Sequence, residues 1–345
     1  MRKRDIVTIQ VYKHKARLNV HGGHQEYGVN YLETYSPVVN WFSIRTLLTM
    51  SAINKWHSRI VEFIQAYPQA PIQYDLYMEF PKGFKTKEGD RRTHVLQLLK
   101  NLYGQNQAGR MWNQHPNEKI CQVVFKKSAM DECVWYKDAT ILFYYVDDRL
   151  FMRPESKSIN MESEEIYRAV LDNEYKENIE DHLGVNVEDQ DKGKIKLPQL
   201  QIIDRIINDV QIPNKTTPQQ TPALSTKILN YDADSPTFNE GFNHQSVVGK
   251  LNFLEKSTRP NISYTMHQCT HFSQDTWASH MDTRIHLVKY LKAIRAQITT
   301  LDPKGRKSFK VYVNADFCGN WHRPTAGNNV STAKSWTGYA ILYNV

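Results

Sequence analysis

Thr140-Ile141-Leu142-Phe143-Tyr144-Tyr145, then Val146-Asp147-Asp148, then Arg149-Leu150-Phe151-Met152 is the stretch that decides the fold. Two short runs rich in aromatic and branched side chains flank a pair of carboxylates. That pattern predicts a β-hairpin with an acidic tip. Adjacent carboxylates on a rigid turn suit hard divalent cations, which take oxygen ligands. A solvated acidic turn reads the same way, so the short string is weak by itself and the rest of the chain must decide.

Working outward, Ile6 to Val20 opens with strand-like alternation and runs into the basic Lys13-His14-Lys15-Ala16-Arg17. Ser43 to Asn54 (SIRTLLTMSAIN) has apolar residues at helical spacing. Arg59 to Ile64 and Val95 to Leu99 read as short strands, and Gly109 to Val124 as a helix. Met161 to Glu174 predicts a charged surface helix, and Leu200 to Val210 an amphipathic one. Thr216 to Pro222 is polar with two prolines and reads as a linker. Helices are expected over His244 to Leu254 and Ser279 to Ala296, then strands over Phe309 to Val313 and Thr337 to Tyr343. The class expected is α+β.

At 345 residues the chain exceeds one ordinary domain. Its 40% hydrophobic and 23% charged residues suit folded cores rather than a disordered chain. The +8 formal charge, from 44 basic and 36 acidic side chains, favours a polyanionic partner through counterion release. Cys121, Cys133, Cys269 and Cys318 form no CxxC pair, which argues against a zinc ribbon or disulfide scaffold. No apolar core follows the basic Met1-Arg2-Lys3-Arg4, and no apolar run approaches the ~18 residues a membrane span needs. The expectation is an intracellular protein, cytoplasmic or nuclear, neither secreted nor membrane-bound.

Further segments stand in order along the chain: Lys15-Ala16-Arg17-Leu18, Glu33-Thr34-Tyr35-Ser36-Pro37-Val38-Val39, Glu62-Phe63-Ile64-Gln65-Ala66-Tyr67 and Leu76-Tyr77-Met78-Glu79. Leu102-Tyr103-Gly104-Gln105-Asn106-Gln107-Ala108-Gly109-Arg110-Met111-Trp112 and Tyr145-Val146-Asp147-Asp148 follow. His182-Leu183-Gly184-Val185, Val248-Gly249-Lys250-Leu251-Asn252-Phe253-Leu254 and Thr258-Arg259-Pro260-Asn261-Ile262 come last. Together they resemble the reverse transcriptase region of copia-type LTR retrotransposon Pol polyproteins, running into the start of ribonuclease H.

That resemblance implies a right-hand polymerase followed by an incomplete ribonuclease H-like fold. Fingers and palm would fill 1–190, a thumb-like segment and linker 191–235, a helical connecting segment 236–305, and the ribonuclease H-like start 306–345. The implied function is RNA-directed DNA polymerase by two-metal nucleotidyl transfer. Glu62, Asp147 and Asp148 would be catalytic and hold two Mg2+ or Mn2+ ions, spaced about 3.5–4 Å in such chemistry. Lys15 and Arg17 would meet the triphosphate, as a point charge and a fork respectively. Tyr67 would exclude the ribose 2′-hydroxyl, and Gln107 would lie in the segment supporting the template and incoming base. Partners implied are a primed RNA or DNA template, dNTPs and other parts of the Pol polyprotein.

Three positions depart from the family's pattern. Glu62 stands where it has aspartate, and the extra methylene pushes the carboxylate roughly 1–1.5 Å further out or forces it to fold back, where a misplacement of about 1 Å can cost about a hundredfold in rate. Asn314 occupies the opening ribonuclease H ligand position, with Asp316 two residues on, so no ribonuclease H activity is expected. Gly109 stands where the family usually has proline. Two other readings stay open: a non-catalytic remnant of a decayed element that folds and binds nucleic acid, and a different two-metal enzyme such as a nuclease. His267-Gln268-Cys269-Thr270-His271 resembles a metal cluster, but in the helix expected there only the two histidines meet, which favours a structural role.

Overall fold

The computed structural model describes residues 2–4, 11–14, 17–84, 93–122, 125–145, 148–154, 173–176, 185–190, 193–224, 229, 243–273, 278–303, 308–318, 321, 323 and 335–343. In chain order the elements begin β1 (Arg2–Arg4), β2 (Val11–His14), α1 (Trp41–Asn54), β3 (His57–Phe63), α2 (Ala66–Gln69), β4 (Tyr77–Met78), β5 (Leu96–Gln97) and α3 (Ala108–Gln122). Next come β6 (Lys126–Lys127), β7 (Val134–Lys137), β8 (Thr140–Tyr145), β9 (Asp148–Arg153), β10 (Asn173–Lys176), β11 (Glu188–Gln190) and β12 (Lys194–Leu197). The last are α4 (Leu200–Asp209), α5 (His244–Ser257), α6 (Ser263–His271), α7 (Ala278–Ala293), β13 (Thr299–Leu301), β14 (Phe309–Ala315) and β15 (Thr337–Tyr343). They fall into two compact units, one of 1–40 with 56–178 and one of 41–55 with 179–345.

The first unit is built on a six-stranded antiparallel sheet of order β10-β3-β9-β8-β7-β6. Its centre is the β8–β9 hairpin, in which Tyr145 faces Asp148, Phe143 faces Leu150 and Ile141 faces Met152. Leu142, Phe143, Tyr144, Leu150, Phe151 and Met152 are all buried. Burial on both faces explains why these strands read as near-continuous apolar runs instead of alternating. Alternation along the strands sets Val61, Phe63, Arg149 and Tyr144 on one face, where α3 packs: Trp112 meets Phe63 edge to face at 5.1 Å. Pro116 lies inside α3 and is buried. It forfeits one backbone N–H bond, and the packed apolar face keeps the helix going.

Arg149 is the exception in this core. It is 3% exposed, with its guanidinium 4.8 Å from the Phe63 ring centre and 5.1 Å from that of Tyr144. Its Nη1 has no hydrogen-bond partner, and burial pulls its pKa down to about 10.

In the second unit, α4 to α7 bury Ile203, Ile206, Leu251, Leu254, Leu287 and Leu291 against one another. Arg295 holds Asp204 through two bonds of 2.5 and 2.6 Å, which keeps that carboxyl below its ordinary pKa. Buried Arg284 of α7 donates to the carbonyls of Cys269 and Phe272 at 3.0 and 2.8 Å, tying α7 to the end of α6. Strand β13 returns after the helices to complete a three-stranded sheet of order β11-β12-β13. Among the described residues, strands β14 and β15 pair with each other alone, from Phe309 opposite Tyr343 to Ala315 opposite Thr337. Both faces of this ribbon are exposed, and it is held at one end by Trp336, whose ring lies 4.3 Å from His267 and 5.0 Å from His271.

Several expectations from the sequence shift here. The helix read over 161–174 lies mostly outside the described residues, and Asn173 and Glu174 at its end belong to β10, which pairs with β3. The predicted strand from Ile6 to Val20 is described as β2 followed, after Arg17, by a single bridge at Asn19. Val95 to Leu99 shortens to two residues of β5. Asp148 opens strand β9 rather than standing in the turn. His267 and His271 do meet on a helix, ring centres 5.0 Å apart, while Cys269 between them is buried. Among the described residues no helix is long and apolar enough to cross a membrane.

Two stability predictions come from this packing. Gly109 is the second residue of α3, and a Cβ there would meet Ser36 Cβ at 3.8 Å and Tyr67 Oη at 3.9 Å, ordinary contacts. Gly109→Ala should therefore raise unfolding free energy by about 0.5–1 kcal/mol, read from urea denaturation. For Arg149, an unpaired buried cation costs several kcal/mol, whereas each ring contact returns up to about 2. Arg149→Met should stabilise by about 1–2 kcal/mol; a lower urea midpoint would mean that ring attraction outweighs desolvation.

Candidate active site

Glu62 is the penultimate residue of β3, and Asp148 is the first of β9. They are direct partners in the β3–β9 pairing. Opposed residues on antiparallel strands have Cα atoms about 4.5–5.5 Å apart and share one face of the sheet. Tyr145 of β8 is the partner of Asp148 on its other side, and Glu174 of β10 is the partner of Glu62. Glu174, Glu62, Asp148 and Tyr145 thus hold matching register positions on four neighbouring strands. Asp147, like Lys15, lies outside the described residues.

Beyond Phe63 the chain turns sharply. Gln65 takes a left-handed conformation at φ 50°, and a single helical turn, α2, carries Tyr67. The half-buried Tyr67 ring sits 4.8 Å from that of Tyr103, tilted by 34°. The exposed Arg17 guanidinium lies 4.9 Å from the centre of the same Tyr103 ring. Arg17 and Tyr67, 50 residues apart in sequence, are therefore joined through one aromatic side chain that the sequence reading gave no role.

The backbone holds Tyr103 firmly. Val20 N–H donates to the Tyr103 carbonyl at 2.9 Å, and Asn19 forms a parallel bridge with Tyr103. Close approach requires glycine on both sides: a Cβ at Gly104, which has φ +89°, would strike the Val20 carbonyl, and one at Gly22 would strike the Gly104 carbonyl.

Gln107 is buried three residues on from Gly104. Its Oε1 accepts from Gln25 Nε2 at 2.9 Å, and Gln25 Oε1 accepts from the Asn106 N–H at 2.7 Å. Asn106 Nδ2 in turn donates to the Gly22 carbonyl at 3.0 Å. Gln107 Nε2 is buried without a hydrogen-bond acceptor. The Gly22–His24 turn is thereby fastened to the segment that leads into α3. Nothing in the sequence singles out Gln25, since its partners lie about eighty residues away.

Asn314 is the penultimate residue of β14 and pairs with Gly338. Asp316 follows the strand, and its Oδ1 accepts from the Trp336 N–H while its own N–H donates to the Trp336 carbonyl at 2.9 Å. Its carboxylate fastens the end of the ribbon.

Comparison with known proteins bears on this geometry. Residues 1–225 match the family model described as reverse transcriptase (RNA-dependent DNA polymerase). The chain is 26% identical over 349 residues to the retrovirus-related Pol polyprotein from transposon TNT 1-94 of Nicotiana tabacum, covering 97% of this chain and 25% of that protein. It is 28% identical over 313 residues to the Pol polyprotein from transposon RE1 of Arabidopsis thaliana, covering 89% of this chain and 21% of the relative. A transposon Ty5-1 protein of Saccharomyces cerevisiae is 24% identical over 254 residues, 72% of this chain and 81% of that protein. The chain thus spans about a quarter or less of the plant polyproteins it matches. These matches fix the family: the chain belongs to the reverse transcriptases of copia-type retrotransposon Pol polyproteins.

Proposed function

We propose that the chain acts as an RNA-directed DNA polymerase by two-metal nucleotidyl transfer. The observation that carries this reading is the pairing of Glu62 with Asp148 across β3 and β9, beside Tyr145. It brings two acidic residues, 86 positions apart in sequence, into direct backbone register beside the β8–β9 hairpin. Carboxylate oxygens are the hard donors magnesium takes, so the residues fit such an ion, and Glu62, Asp147 and Asp148 would hold it. Bound there, such ions would supply activation of an attacking 3′-oxygen and charge neutralisation of the leaving pyrophosphate.

The chain's own residues do the rest. Lys15 and Arg17 bind the triphosphate, and the Arg17 fork is steadied over the Tyr103 ring. Tyr67 closes the space a 2′-hydroxyl would need. Gln107 and its clamped loop support the template and incoming base. In this reading 1–190 form fingers and palm, 191–235 a thumb-like segment, 236–305 a connecting segment and 306–345 the start of a ribonuclease H-like fold. The duplex is gripped through its backbone, and sequence is read by base pairing. Other parts of a Pol polyprotein are natural partners.

A second reading, a remnant that binds nucleic acid without catalysis, is favoured by Glu62 in place of aspartate and by Asn314. Primer extension on an RNA template with magnesium separates the two. Extension by the purified chain, abolished in Asp148→Asn, is the expected result. Glu62→Asp should raise the rate about ten- to a hundredfold, because it returns the carboxylate by roughly 1 Å; equal or slower extension would show that Glu62 is not limiting. Under either reading primer–template binding should weaken steeply with salt, with a log–log slope of about −0.9 per phosphate neutralised on a B-form duplex and of similar order here. Titration between low and physiological ionic strength measures it, and a flat response would remove nucleic-acid binding from both.

A further inference from the structure

We propose that Tyr103 is the positioning residue for deoxynucleotide selection, holding the Tyr67 gate and the Arg17 phosphate contact as one unit. The inference rests on the polymerase reading above and adds to it a residue and a coupling. Three observations carry it. First, one ring meets both side chains: Tyr67 at 4.8 Å between ring centres, and the Arg17 guanidinium at 4.9 Å from the ring centre. Second, Tyr103 is anchored by its own backbone, through the Val20 N–H bond of 2.9 Å and the bridge to Asn19. Third, the anchoring residues Asn19 and Val20 lie two and three positions after Arg17, while Tyr67 sits on a separate one-turn helix after β3.

Each feature has a physical consequence. Arg17 is exposed, and a long side chain in water samples many rotamers. An aromatic face within about 6 Å narrows that choice at little cost, through cation–π attraction of about 0.5–1 kcal/mol at an exposed site. Tyr67 must hold its place to discriminate, because a hydroxyl is a small difference and a ring free to swing aside would admit it. Contact with an anchored neighbour denies that swing. The Gly22–Gly104 approach, where no Cβ fits, makes the anchor stiff.

The coupling makes a prediction that independent side chains would not. Loss of the Tyr103 ring should change both sugar discrimination and triphosphate affinity, whereas loss of Tyr67 should change discrimination alone. The experiment uses the full chain on a primer–template whose primer ends in a dideoxynucleotide, with calcium, so that nucleotide binding is read without turnover. The probes are dTTP and UTP opposite adenine, and the readout is each dissociation constant. Tyr103→Leu keeps bulk and loses the π face; Tyr103→Phe keeps the face. Thermal melting of each variant checks that it is folded.

The expected result for Tyr103→Leu is dTTP binding about two- to fivefold weaker, with a lower preference for dTTP over UTP. Tyr103→Phe should restore both. A Tyr103→Leu variant with unchanged affinity and preference overturns the proposal, as does a Tyr103→Phe variant that fails like leucine. Tyr67→Ala separates the layers. If it loses preference while Tyr103→Leu keeps it, the gate stands and the positioning role falls. If the unaltered chain binds neither nucleotide, the polymerase reading falls and takes this proposal with it.

Discussion

The pairing of β3 with the β8–β9 hairpin is the constraint on which the first unit depends. Side chains alternate along a strand, so a slip of one residue would put Val61 opposite Asp148 in place of Glu62 and reverse the faces of the apolar residues around it. Register here is held by the flanking apolar residues. Ile60, Phe143, Leu150 and Met152 are buried on the acidic side, and Val61, Phe63, Leu142 and Phe151 on the α3 side. Moving either set would expose it, and each such side chain is worth about 1.5–3 kcal/mol of burial. Core packing thus fixes the backbone register of Glu62 and Asp148.

The same sheet carries a conflict on its other face. Arg149 stands in the strand that begins with Asp148, and alternation sends it into the core against Phe63 and Tyr144. Two aromatic faces moderate the desolvation of its charge but leave Nη1 without an acceptor. The ribbon of β14 and β15 is held in a different way. A two-stranded pair buries little surface by itself, and here the attachment is local: the Trp336 ring lies against two histidines one turn apart on α6, and Asp316 pins the adjoining backbone.

Around Tyr103 the protein uses backbone proximity where the sheet uses side-chain burial. Gly22 and Gly104 let two chain segments approach so closely that neither tolerates a Cβ. Gln25 and Asn106 then satisfy polar groups exposed by that approach. The result is a polar, hydrogen-bonded platform, in contrast to the apolar sheet. Unlike the apolar sheet, such a platform leaves Arg17 accessible to an anionic ligand.

The order of motifs and the apolar period of the elements were legible in the amino-acid sequence. The hairpin over Thr140–Arg153, the helices at 41–54, 108–122, 200–209, 244–257, 263–271 and 278–293, and the terminal strand pair follow from local patterns that need no distant partner. So do the candidate identities of Glu62, Asp148, Arg17, Tyr67 and Gln107, because residue type and resemblance are properties of short segments. Tertiary structure decided what those segments meet. Asn173–Lys176 became a strand because β3 offered it an edge, although the preceding charged run reads as helix. Glu174 came into register with Glu62, Tyr103 came between Arg17 and Tyr67, and Gln25 reached Gln107 across 82 residues. The physical reason is common to all: such contacts are set by chain closure and by the burial of neighbouring apolar side chains, and neither leaves a trace in the residues that end up touching.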